Sequence, residues 1–137
     1  MTYRRTPGRR TSATVMALAA VLACTVPLPA RADGRDVRTC TASWYGAPEE
    51  MLDGWPTASG EPFDPEAMTA ASRDLKFGTR VRVTNAETGD SVMVRINDRG
   101  PRDTRRCIDL SRAAFEEIAD TDLGLVRVSL ETLGGVA

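Results

Sequence analysis

The 137-residue sequence contains no histidine. That absence removes the usual general base near neutral pH and the commonest zinc ligand. It also excludes Ser–His–Asp and Cys–His nucleophile systems. Acid–base chemistry must then come from carboxylates or hydroxyls. Cysteine is scarce, with three in all. The apolar run at 14–26 is too short for a bilayer span and is soon interrupted by Pro27 and Pro29. No acidic residue occurs among the first 32 positions. Neither an internal repeat nor a second domain is found.

What the N-terminus does contain is ordered like an export signal. Arg4, Arg5, Arg9 and Arg10 form a basic head, the apolar run follows, and Ala30-Arg31-Ala32 supplies small residues for a peptidase. The pattern predicts a signal peptide over residues 1–32 and an exported chain, in the periplasm or cell envelope. A second reading is open: Val21-Leu22-Ala23-Cys24 looks like a lipobox, which would lipidate Cys24 and anchor the chain to a membrane. Residues 1–32 hold five of the eighteen basic groups and none of the nineteen acidic ones, so their removal takes the formal charge from −1 to −6. An acidic surface argues against nucleic acid as a partner. Cys40 and Cys107 then remain as an even pair in an oxidising compartment and are expected to be bridged, free thiols being the alternative. The chain is expected to act as a monomer.

Residues 33–39 read as a disordered leader and 40–133 as the domain. Residues 40–45 read as a first strand. Residues 47–61, rich in Gly, Pro, Asp and Ser, read as a surface loop carrying Trp55. Residues 63–68 read as one helical turn, with Asp64 capping and Pro65 at its first position. Residues 69–71 form a short buried strand. Residues 79–85 and 91–96 alternate apolar and polar, and Glu87-Thr88-Gly89-Asp90 joins them as a hairpin. Residues 107–110 form another strand. Ser111 caps a helix running to about Ala119, residues 125–130 form the last strand, and 134–137 fray. Six short strands with one or two short helices argue for a mainly β, small closed barrel.

The segment 92–101 is the most informative. Val92, Val94 and Ile96 alternate with Met93 and Arg95, and Gly100 and Pro101 end the strand. Asp98 is therefore delivered by a buried strand to its mouth, beside Asn97 and Arg99. A rigid strand presenting an acid is a good base for a catalytic site. The plainer alternative is that Asp98 only hydrogen-bonds its own turn.

Several phrases resemble the RlpA-like family, within the double-psi β-barrel superfamily of barwin and the expansins. They are Ala42-Ser43-Trp44-Tyr45-Gly46, Thr57-Ala58-Ser59-Gly60-Glu61-Pro62-Phe63-Asp64, Thr69-Ala70-Ala71-Ser72, Phe77-Gly78-Thr79, Asn97-Asp98-Arg99-Gly100-Pro101 and Ile108-Asp109-Leu110-Ser111. They fall in the family's order. The resemblance implies a six-stranded double-psi barrel, a peptidoglycan substrate, and lytic transglycosylase activity that cleaves MurNAc–GlcNAc bonds and leaves 1,6-anhydro ends. No cofactor and no metal are expected. Asp98 matches the family's essential aspartate, and Glu61 matches a second carboxylate. Ser72 stands where the family has histidine. The C-terminal glycan-binding domain of many members is not expected here.

On that reading Asp98 acts as acid and then as base. Glu61 keeps Asp98 protonated by like charge or stabilises the oxocarbenium; alternatively it only salt-bridges an arginine. Ser72 could at most orient a water or hydroxyl. Tyr45, Trp55, Asn97 and Arg99 are candidate substrate contacts, Arg99 alternatively pairing with a nearby acid; Trp44 packs in the core or else stacks on a sugar ring, and Asp109 helps cap the Ser111 helix. The competing class of function is a non-catalytic, expansin-like barrel that grips polysaccharide.

Overall fold

The structure, a computed structural model, describes residues 36–47 and 54–133. The signal segment 1–32, Cys24, part of the 47–61 loop and the tail 134–137 lie outside the described residues. The strands are β1 (Val37–Tyr45), β2 (Thr69–Ala71), β3 (Arg80–Asn85), β4 (Ser91–Asp98), β5 (Arg106–Ser111) and β6 (Leu125–Leu133). They close into a barrel in the order β1-β5-β2-β4-β3-β6. β1 with β5 and β2 with β4 are parallel pairs, and the remaining neighbours are antiparallel.

Side-chain alternation places the core as the sequence reading expects. Val81 and Val83 of β3, Val94 and Ile96 of β4, and Val128 of β6 are all nearly or fully inaccessible. The β3–β4 hairpin is tied by Asn85, whose Oδ1 accepts from the amides of Glu87 and Thr88 and whose carbonyl accepts from Gly89. Cys40 and Cys107 are disulfide-bonded, joining β1 to β5 with a Cα–Cα distance of 6.0 Å.

Beyond shifts of one or two residues in β3, β4 and β5, four segments differ from expectation. β1 starts at Val37, so residues 37–39 of the expected leader are strand, paired with Ser129, Leu130 and Glu131 of β6. These leader residues are exposed, so no period-2 signal marked them. β6 correspondingly runs on to Leu133. The 63–68 segment is a turn and not a helix: Asp64 Oδ1 accepts from Glu66 as predicted, but only Ala67 bonds back to the Asp64 carbonyl. The helix α1 (Arg112–Glu116) stops well before Ala119. The Ile118 carbonyl is taken by Asn85 Nδ2 at 2.8 Å, and a 3-10 turn at Thr121–Leu123, capped by Asp120, follows.

Candidate active site

β4 does not keep its alternation to the end. Against β2 the register passes from Ala70↔Ile96 to Ala71↔Asp98, leaving Asn97 as the extra residue of a β-bulge. A bulge bends the strand and re-aims side chains. Here it turns Asn97 inward, 3% exposed, and leaves Asp98 half-buried at the strand's end.

The Asp98 carboxylate is held from three directions. Oδ1 accepts from the Ala58 amide at 2.9 Å and from the Arg99 amide at 2.8 Å. Oδ2 accepts from the Tyr45 hydroxyl at 3.3 Å. Oδ1 is thus filled by backbone donors, and Oδ2 has one side-chain neighbour that can rotate. Burial, and then the Asp98 and Asp109 charges, push the Tyr45 phenol far above its ordinary range, so Tyr45 stays a donor. Its ring packs on Phe63 with centroids 4.9 Å apart. Phe63 in turn lies against Gly46, where a Cβ would stand 2.3 Å from the ring and where φ is +88°.

Glu61 reaches the site on a tight turn. Thr57 N bonds to the Glu61 carbonyl at 2.7 Å, and Ser59 N bonds to the Asn97 carbonyl at 3.2 Å, fastening the turn to the bulge. The Glu61 carboxylate receives both arms of Arg95, at 2.7 and 2.8 Å, and Asn97 Nδ2 at 3.3 Å. These donors, Arg95 first, hold the Glu61 carboxyl below its ordinary range. Arg95 matches the charge that Glu61 would otherwise set against Asp98. What the pairing leaves to Glu61 is an ionised carboxylate.

Ser72 is 1% exposed, and its hydroxyl accepts from the Asp74 and Leu75 amides at 3.3 and 3.2 Å. Its own amide bonds to the Asp98 carbonyl at 3.1 Å. The Ser72 hydroxyl is thus engaged in its own turn. Among the described residues Arg99 pairs with no acid: its guanidinium donates to the carbonyls of Ser72 and Leu75 and stacks 3.8 Å over the Phe77 ring. Trp55 is 58% exposed beside the Pro56↔Pro62 bridge, free to meet a ligand. Trp44 packs on the core and donates to the Thr121 carbonyl at 3.1 Å. Asp109 does not cap the helix. Its Oδ1 receives the Ser43 hydroxyl and, at 3.2 Å, Arg106; Ser111 itself caps, through Ala114 N.

Sequence reasoning missed Arg95 and Phe77. Arg95 is exposed on β4 while the bulge turns Asn97 inward, so strand alternation did not mark the two as donors to one carboxylate. Among the described residues no group of three or more His, Cys, Asp or Glu could hold a metal ion. A concavity of about 780 Å³ opens beside the β3–β4 hairpin, at the other end of β4, and none of these site residues lines it.

The sequence pattern of the family described as lytic transglycolase matches residues 37–130. The chain belongs to that family. It is 55% identical over 93 residues to the probable endolytic peptidoglycan transglycosylase RlpA of Nostoc sp., which covers 68% of this chain and 25% of that protein. Against the endolytic peptidoglycan transglycosylase RlpA of Pseudomonas aeruginosa the identity is 46% over 96 residues, 70% of this chain and 27% of that one. The match therefore spans about a quarter of the length of these two curated relatives. Among solved structures, the Streptomyces papain inhibitor superposes with a TM-score of 0.57 at 24% identity, covering 72% of this chain and 96% of that one. An expansin from Clavibacter michiganensis does so with 0.57 at 21%, covering 74% and 52%. These last two likenesses establish the expansin-like, double-psi form of the six-stranded barrel.

Proposed function

We propose that this chain is an exported lytic transglycosylase acting on the glycan strands of peptidoglycan. The supporting observation is the asymmetry of Asp98: among the described residues one oxygen is saturated by two backbone amides, and the other meets only the Tyr45 hydroxyl. Protonated Asp98 gives its Oδ2 proton to the bridging oxygen as the bond from that oxygen to C1 of the muramyl sugar breaks. The carboxylate so formed takes the proton of that sugar's C6 hydroxyl as O6 bonds to C1. The strand is cut, a 1,6-anhydro end forms, no water is consumed, and Asp98 regains its proton. Ionised Glu61 lies nearby to oppose the positive charge that grows on the ring before O6 closes. Trp55 offers a face for sugar stacking. Export is supported by the N-terminal signal pattern and by the Cys40–Cys107 bridge, which suits an oxidising compartment.

A second reading, a barrel that grips glycan without cutting it, is favoured by one observation. Ser72 replaces the family's imidazole and is occupied by its own turn. The test is to incubate the chain lacking residues 1–32 with sacculi and with peptide-free glycan strands, and to seek 1,6-anhydro-muramyl products by mass spectrometry. Products are expected, with Asp98→Asn at least about a hundredfold slower. Retention on glycan without products from the unsubstituted chain would establish the second reading.

A further inference from the structure

Glu61 is gripped more firmly than an exposed side chain needs. The Arg95 fork takes both of its oxygens, a geometry that fixes the carboxylate plane as well as its charge. Asn97 adds a third donor from the bulge. To do so Asn97 leaves its own Oδ1 buried and unpartnered. Flipping the amide would set that oxygen against the Glu61 carboxylate, so the orientation is dictated by Glu61. An exposed ion pair adds little to stability, and a bare buried carbonyl subtracts from it. Stability therefore does not explain the cradle.

We propose that Arg95 is a positioning residue for the transglycosylase reaction: it holds Glu61 in one orientation and in its ionised form, leaving proton transfer to Asp98 alone. The inference rests on the function proposed above. Among the described residues three charged groups bear on Glu61. Arg95 contacts it, Arg80 stands beside Arg95 in the β3–β4 register, and Asp98 is bonded to Ala58 on the same turn. Arg80 bears the same sign as Arg95 but lacks its contact, so removal of Arg95 takes the fork away. The downward displacement of the Glu61 titration, owed first to Arg95, agrees with this arrangement.

The experiment pairs a carboxyl-selective NMR titration of Glu61 with pH–rate profiles on peptide-free glycan strands. It uses the unsubstituted chain, Arg95→Gln, Arg95→Lys, and Arg82→Gln as a control. Arg82 pairs with Glu131 on the same barrel, away from Asp98. In Arg95→Gln the Glu61 midpoint should rise and the acid limb of kcat should rise with it. Turnover should fall by about ten- to a hundredfold with little change in KM. Arg95→Lys keeps charge without the fork and should lie between. Arg82→Gln should leave all three readouts alone. An active parent whose Arg95→Gln variant keeps its Glu61 midpoint and acid limb would overturn the inference. An inactive parent would instead sink the proposed function, and this role for Arg95 with it. Unfolding of Arg95→Gln under conditions where Arg95→Lys folds and matches the parent in rate and profile would also overturn it.

Discussion

At the residue scale the site depends on which atoms are already occupied. Tyr45 touches Asp98 with a hydroxyl that burial prevents from ionising. Tyr45→Phe keeps the ring on Phe63 and deletes that one donor. Turnover should drop by about tenfold, as expected for one hydrogen bond to a charged group, with the urea midpoint nearly unchanged. Ser72→Ala should do the reverse. The hydroxyl serves two backbone amides, so its loss should lower stability by about 1 kcal/mol and leave the rate within about twofold. Glu61 carries a pH signature. Its carboxyl titrates lower folded than unfolded, so the pair's contribution is present above the unfolded value and is lost as pH falls through the folded one. The small gap in urea midpoint between the parent and Arg95→Gln should therefore narrow as the pH falls through the Glu61 titration. Asp98 was legible as a candidate because turn residues and a strand pattern framed it, and Glu61 through the family resemblance. The use of Ser72 by its own turn, and the fork from Arg95, depend on geometry that spacing does not encode.

At the element scale two devices set the site. The bulge at Asn97 breaks the β4 alternation, and the Gly46 turn lets Phe63 lie under Tyr45. Gly46→Ala would force a Cβ into that ring at a left-handed φ, so we expect a loss of at least about 2 kcal/mol. The rate should fall too, because Phe63 supports Tyr45. Gly89→Ala is the matched control: its φ is +82°, but nothing lies within 4 Å of the added carbon. About 1 kcal/mol is expected there, with the rate unaffected. Urea unfolding and product release from glycan strands check both. The alternating strands β3 and β4 could be read from sequence because one face is buried and the other is not. The start of β1 could not, since it is exposed and owes its form to β6. The early end of α1 escaped for a similar reason: a distant side chain, Asn85, claims a carbonyl at the helix's end.

At the scale of the whole molecule the barrel order does the assembling. β1 and β4 are separated by β5 and β2, yet closure brings Tyr45 to Asp98. The disulfide fastens β1 to β5 across a sequence separation of 67. Closing a loop of that length restricts the unfolded chain and contributes roughly 4 kcal/mol in the entropic picture. Reduction, or Cys40→Ser with Cys107→Ser, should lower the unfolding free energy by about that amount. Urea titration with and without reductant measures it.

The sequence by itself determined the class of fold, the pairing of Cys40 with Cys107 and the residues worth watching. Apolar alternation, turn chemistry and ordered family phrases are local properties of the chain. Only the tertiary structure decided what those residues do to one another. The Arg95 fork on Glu61, the Ala58 amide on Asp98 Oδ1 and the Tyr45 hydroxyl on Asp98 Oδ2 arise from segments far apart in the chain. Which donor meets which acceptor is fixed only when the strands close and the bulge sets the last side chains.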